Sequence, residues 1–219
     1  MASSSFPGSP RLLKGGLVLV DARSGAIGGI VALQYNPDTL TRTFAPKAVG
    51  SEGADRSEAT RLKGPPVETI KLDAEIDATD QLESGDPQAM EAGIHPQLAA
   101  LEVIVHPTSG QLQDSRRLSA SGTLEIAPML APLALFVWSR QRIVPVRVTE
   151  LSITEEAFDP NLNPIRAKVS LGMRVLSVDD LGFDHKGGSL YLAYLQNKER
   201  LAGRTSPGAL GALGLTGLP

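Results

Sequence analysis

FDPNLNPIRAKVSLGMRVL, residues 158–176, decides the fold class. Its first seven positions hold two prolines and two asparagines, the composition of a sharp turn. Apolar residues then recur at every second position, at Ile165, Ala167, Val169, Leu171, Met173 and Val175, while Arg166, Lys168 and Arg174 fall on the opposite side. A period of two belongs to a strand with one buried and one wet face.

Upstream, RIVPVRVTELSITEEAF carries its apolar set at Val144, Val146 and Val148 and then at Leu151 and Ile153. Such a change of phase needs one extra residue, which predicts a bulge near Glu150. APLALFVWS before it is a further strand. VETIKLDAEIDATD opposes Ile70, Leu72, Ala74 and Ile76 to Lys71, Asp73, Glu75 and Asp77, so its wet face is acidic. Near the start, GLVLVDA is followed by an Arg-Ser-Gly turn and IGGIVALQY. Asn36-Pro37-Asp38 then leads into TLTRTFAPK, with Leu40, Arg42 and Phe44 on one face, which reads as a β-hairpin with a Pro-containing turn.

Two stretches have helical spacing. HPQLAALEVIVHP puts Leu98, Leu101 and Val105 on one stripe, and SLYLAYLQNKERLAG aligns Leu190, Tyr191, Tyr194, Leu195 and Leu201. Residues 47–66 are polar, rich in Gly and Pro and without period, so a surface loop is expected; residues 108–126 read as a second long loop or remain ambiguous. The expected organisation is a flexible N-terminal arm over 1–14, a mainly β (α+β) domain over 15–188 with one short helix, and a C-terminal helix and Gly-rich tail over 189–219.

Composition narrows the function. The 219 residues are 42% apolar and 21% charged, as in ordinary globular domains, and the net charge of -3 gives no reason to expect nucleic acid as a partner. No run of 18 apolar residues and no basic-then-apolar leader occurs, so a soluble chain with no membrane partner and no signal peptide is expected. Without cysteine there is no disulfide, thiolate metal site or cysteine nucleophile. His95, His106 and His185 are scattered, outside metal-ligand spacing, and no hydrolase, metalloprotease or phosphate-loop motif is found. Neither a catalytic group, a metal nor a cofactor is expected. The acidic pairs read as solvated strand faces or turn residues. Trp138 is either core or an interface anchor.

Three blocks, VALQYNPDTLTRTF, VETIKLDAEIDATD and PLALFVWSRQRIVPVRVTELSITEEAFDPNLNPIRAKVSLGMRVL, resemble in their order the tube-type baseplate proteins of extracellular contractile injection systems, which are phage-tail-like particles. The similarity spans roughly residues 15–200. Many such relatives carry a C-terminal LysM module; no counterpart follows residue 203, so peptidoglycan binding is not carried over.

The resemblance implies a phage-tail-tube-like β-barrel or sandwich, a homo-hexameric ring, and assembly in the cytoplasm into a phage-tail-like particle. The implied role is structural: the ring joins the inner tube protein to the spike hub protein among other baseplate subunits and nucleates the tube. The implied candidate interface residues are Tyr35, Asn36 and Pro37 of the QYNP segment, Asp73 and Glu75 on the acidic strand, Trp138, the turn residues Phe158, Asp159 and Pro164, and Arg166, Lys168 and Arg174. The basic face then meets a lumen or a neighbour, with the acidic strand as its complement across subunits; the other reading is a solvated outer face. Two alternatives stay open: a tube-end or terminator protein of the same machine, and a stand-alone carbohydrate-binding β-sandwich in which Trp138 and the tyrosines stack on sugar rings.

Overall fold

The computed structural model describes residues 13–21, 24–48, 61–121, 131–205, 211 and 216–217. Most of the N-terminal arm, residues 49–60 and 122–130 of the two expected loops, and most of the Gly-rich tail lie outside the described residues.

Among the described residues seven strands form one antiparallel sheet: β1 (Gly16–Val20), β2 (Ile27–Ala32), β3 (Leu40–Ala45), β4 (Val67–Asp77), β5 (Leu133–Ser139), β6 (Arg142–Phe158) and β7 (Pro164–Val175). Their spatial order is β2-β1-β5-β6-β7-β4-β3. Among the described residues six helices accompany the sheet: α1 (Thr79–Glu83), α2 (Pro87–Ala92), α3 (His95–Glu102), α4 (Ser109–Ala120), α5 (Val178–Leu181) and α6 (Lys186–Ala202). The class is therefore mainly β with added helices, as expected.

The alternation of residues 165–175 is present: Ala167, Val169, Leu171, Met173 and Val175 are buried and Arg166 and Lys168 exposed, with Ile165 half-buried and Gly172 buried out of phase. The predicted bulge is present, as the β6–β7 register shifts between Val148 and Glu150 and again beyond Glu155. One core cluster joins Leu17, Ile70, Phe136, Val144, Met173 and Tyr191 across the sheet, and a second joins Ile76, Ala89, Ile94, Leu98 and Val169 under the short helices. Ile70, Phe136, Val144 and Met173 are completely enclosed. Each such side chain contributes about 1.5–3 kcal/mol relative to leaving it in water.

Four expectations are corrected. The sheet does not close into a barrel by strand pairing, since β2 and β3 are its two ends. Beyond the end of β3, a side chain just after β2 reaches the end of β4 instead. Gln34 donates its amide to the Asp77 carbonyl at 2.6 Å and accepts from the Asp77 N–H at 3.0 Å, standing in for a strand partner. Second, β2 and β3 do not form a hairpin across Asn36-Pro37-Asp38. β2 pairs with β1 and β3 with β4. Asn36 decides this: its amide accepts from the Gly15 N–H and donates to the Leu13 carbonyl, tying the turn to the start of β1.

Third, residues 109–120 are helical, not a loop. Thr108 and Gln111 form a reciprocal capping box at the N-terminus of α4, which satisfies two helix-end donors. Fourth, α6 begins at Lys186, inside the span assigned to the β domain, and packs on the sheet through Tyr191 and Tyr194. Its first turn is seated tightly, because a Cβ on Gly188 would collide with the Gly182 carbonyl oxygen. His185 caps that turn by accepting from the Gly187 N–H. The glycine pair 187–188 is thus a close-approach site.

Candidate functional site

The long strands β4, β7 and β6 present one wet face, and on it the candidate charges meet. Arg166 lies 2.6 Å from Asp77 and 3.5 Å from Glu75, Lys168 lies 2.7 Å from Glu156, and Lys71 lies 3.4 Å from Glu150. The Ser170 hydroxyl donates to Asp73. Arg174 binds Asp180 of α5 at 2.6 Å. The expected complementarity between the acidic and basic strands is therefore satisfied within one chain, by the antiparallel register that sets Asp77 against Arg166 and Glu75 against Lys168. Exposed pairs of this kind are screened by water and add little to stability, while they restrain side-chain rotation across the face.

Two carboxylates at the rim are shifted. Burial pushes Asp77 up, but hydrogen bonds from Thr79 and the guanidinium of Arg166 outweigh it and hold it below its ordinary 3.8. Burial likewise pushes Asp180 up, and the Ser177 N–H, the Arg174 charge and the Ser177 hydroxyl bring it below 3.8. A depressed carboxylate adds stability that is complete above its unfolded pKa and is lost as pH falls through the folded one. Unfolding free energy should thus stay level from neutral pH to about pH 5 and drop below about pH 4. Asp180→Asn should flatten that drop, measured by denaturant titration across pH; an unchanged acid limb would remove Asp180 from this role.

The same strands leave two free stretches of backbone. β5 pairs with β6 only from Arg142 to Val146, so beyond it the outer edge of β6 has no strand partner among the described residues. β3 pairs with β4 only from Val67 to Leu72, so among the described residues the edge at Asp73–Asp77 is covered only at Asp77, by Gln34. Because residues two apart on a strand point their N–H and C=O the same way, the Glu75 amide and carbonyl face outward with those of Asp77. The registers put these edges at one height: Leu72, Leu171 and Leu151 are in line, then Ala74, Val169 and Ile153, then Asp77, Arg166 and Ala157.

At the end of β6 and β7 the turn Asp159–Asn163 is rigid. The Asp159 carboxylate accepts from the Asn161 and Asn163 N–H groups and from the Asn163 amide, at 2.7–2.8 Å. Hydrogen bonding from Asn163 is the main reason its carboxyl lies below the usual value. Asn163 also donates to the Glu91 carbonyl, and the Pro164 carbonyl accepts from the Ile94 N–H, so the turn is fastened to α2 and α3. Pro164 is buried there, whereas Phe158 is half exposed and Leu162 is 77% exposed. Leu162 is the one non-glycine residue with positive φ among the described residues, at 66°. Asp159 and Pro164 therefore shape the tip, and Phe158 and Leu162 form its surface.

Beside the free edge of β4 runs an apolar cleft of about 320 Å³ between β2, β4 and α3, lined by Ile30, Leu33, Leu72, Ile76 and Ala100, with Gln34, Gln88 and Gln97 contributing amides. The remaining candidates lie apart. Trp138 stacks on Phe136 at 5.8 Å, and a Cβ on Gly15 would come within 2.6 Å of its ring, so one face of the indole is taken up by the fold. Tyr35 is exposed, while Asn36 is engaged at the start of β1.

One cluster was not singled out from sequence. Glu68 on β4 is 3% exposed and binds Arg42 at 2.7 Å, Lys198 at 3.0 Å and the Tyr194 hydroxyl at 3.0 Å. The Phe44 ring lies about 5 Å from both cations, at 4.8 Å from Arg42 and 5.0 Å from Lys198. Burial pushes Tyr194 up, with the Glu68 charge adding to it, and pushes Lys198 down against the pull of Glu68. The signal was available, since Glu68 stands two residues before Ile70, in the buried phase of its strand.

No group of three or more His, Cys, Asp or Glu side chains among the described residues is arranged to hold a metal ion. No described helix is long and apolar enough to cross a membrane. No protein-family model matches the chain, and no curated protein sequence matches it. Solved structures similar to the chain include two of gene transfer agent particles. One is the tail of an empty gene transfer agent particle, computed with helical refinement in C6 symmetry, at 14% identity and a TM-score of 0.31 over 74% of this chain and 90% of that one. The other is the virion of a native gene transfer agent particle, at 12% identity and a TM-score of 0.26 over the same shares, 74% and 90%.

Proposed function

We propose that the chain is a structural, non-catalytic subunit of a phage-tail-like contractile particle, closing with copies of itself into a hexameric ring where the inner tube meets the spike hub. The observation that supports this reading is the pair of free edges at one height, β6 beyond Val146 and β4 at Asp73–Ile76, up to the Asp77 backbone that Gln34 caps. Both strands are antiparallel to β7 and hence parallel to each other. Rotation about a ring axis preserves height and strand direction, so β6 of one copy can add in parallel to β4 of the next. Ring closure then removes edges that are a hazard in a monomer. The wet face of β4, β7 and β6 becomes one wall of the ring, its charges already paired.

The order of the three sequence blocks supplies the machine, and with it the tube and hub proteins as partners. The mechanism is templating: a closed ring offers a complete rim of subunits on which tube protein adds more readily than free tube subunits start. The test is mass by light scattering with negative-stain imaging, for the protein alone and mixed with its tube and spike-hub proteins. Rings, or rings formed on mixing, are expected. A monomer indifferent to both partners would overturn the reading, and rings found at the far end of the tube would favour a terminator.

A further inference from the structure

We infer that the β6–β7 tip of each copy seats, through Leu162 and Phe158, at the mouth of the apolar cleft between β2, β4 and α3 of a second copy. The inference rests on the ring reading above and specifies its contact. Ala157 is in line with Asp77 through Arg166, so where a ring sets β6 beside β4 of a neighbour at the same height, Phe158 and Leu162 arrive just past that neighbour's Asp77. The cleft opens at that height: Ile76 lines it, and Gln34, the residue that caps Asp77, is on its wall.

The chemistry matches. An apolar cleft with three glutamine amides suits two apolar side chains carried on a turn whose backbone amides are already satisfied and whose Asn161 side chain is exposed. The tip is built in advance, since Asp159 fixes the turn and Asn163 fastens it to α2, leaving little chain entropy to lose on docking. Leucine in left-handed backbone is a local cost that glycine would relieve, and here the side chain held in that conformation points 77% of its surface to solvent. Tip and cleft differ and lie at the same end of the molecule, as a head-to-tail contact within one ring requires.

The chain has no cysteine, so single thiols report single contacts. Leu162→Cys protein is mixed with Ala100→Cys protein, assembled and oxidised, and the product is compared with that of Leu162→Cys mixed with Ser119→Cys on α4. A disulfide-linked species of twice the chain mass is expected from the first mixture only. Rings without that species overturn the tip-to-cleft contact and leave the ring reading standing; monomers throughout overturn both. Leu162→Gly adds an independent readout. It should keep or raise the melting temperature of the monomer yet raise the concentration at which rings dissociate by about tenfold or more, the size of one interface anchor. Equal stability of the rings would overturn the contact.

Discussion

Replacing Glu75 by proline should abolish ring formation while the monomer stays folded. The Asp77 N–H and C=O face Gln34, away from β7, and no bulge interrupts the β4–β7 register, so the Glu75 N–H faces the same free edge. Proline there removes an outward donor and leaves the ladder to β7 in place, the setting in which strands tolerate it. The monomer should lose about 1 kcal/mol, the span of strand propensities, or about 2–4 °C in melting temperature. The ring loses an edge donor and meets a pyrrolidine ring at every interface. A backbone hydrogen bond is worth about 0.5–1.5 kcal/mol net, so each interface weakens by up to about tenfold before steric conflict is counted, and a closed ring compounds the loss. Glu75→Gln controls for the exposed contact with Arg166 at 3.5 Å and should assemble normally. Rings of ordinary stability from Glu75→Pro, seen by light scattering, would remove β4 from the interface.

That experiment turns on features with very different visibility in the sequence. The alternation over residues 67–77 and 164–175 is a local property, enforced by burial of one face, and it reads directly as strands β4 and β7. The slip at Glu150 shows for the same reason. Which strand pairs with which does not: the link between IGGIVALQY and TLTRTFAPK looks like a hairpin locally, and the contact that overrules it joins Asn36 to Gly15, 21 residues away. The short helices α1 and α2 have five and six residues, too few for a period to emerge. α4 could have been read from Thr108 and Gln111, since a capping box is a sequence signature; its helix buries no residue, so no apolar stripe drew attention to it. For the candidate surface, the sequence separated wet residues from buried ones, but only the register reveals that acid and base are already partners within the chain. The free edges were invisible for a related reason. They exist because β5 and β3 stop short of the strands they pair with, a difference of lengths that matters only once the strands are side by side.

Substitution of Glu68 by glutamine should destabilise the chain by about 2–4 kcal/mol, somewhat less than the roughly 3–5 kcal/mol for breaking a fully buried ion pair, because its cations keep partial contact with water. For a chain of this length that corresponds to a melting temperature lower by roughly 5–15 °C. Glutamine keeps the size of the side chain and an acceptor for the Tyr194 hydroxyl, so the loss isolates the charge. Arg42 and Lys198 would then face each other across the Phe44 ring and the buried Tyr194 with no carboxylate between them. The consequence is local as well as global. Lys198 and Tyr194 belong to α6, while Arg42 and Glu68 belong to β3 and β4, so the cluster clamps the helix to the last strand of the sheet. Hydrogen exchange in Glu68→Gln should rise first in the C-terminal half of α6 and in β3. Paired burial of charge often adds less than a well-packed apolar substitute, so the triple variant Arg42→Met, Glu68→Leu, Lys198→Met should recover much of the lost stability. The two variants then divide the question. If Glu68→Gln melts within 1–2 °C of the parent chain, the carboxylate is solvated in solution and the clamp is not electrostatic. If it falls as expected and the triple variant recovers but α6 exchanges faster than in the parent, the cluster holds the helix in a specific position more than it stabilises the fold. That position determines where the chain leaves the sheet after Ala202, beside the β3 end of the wall that a ring would present.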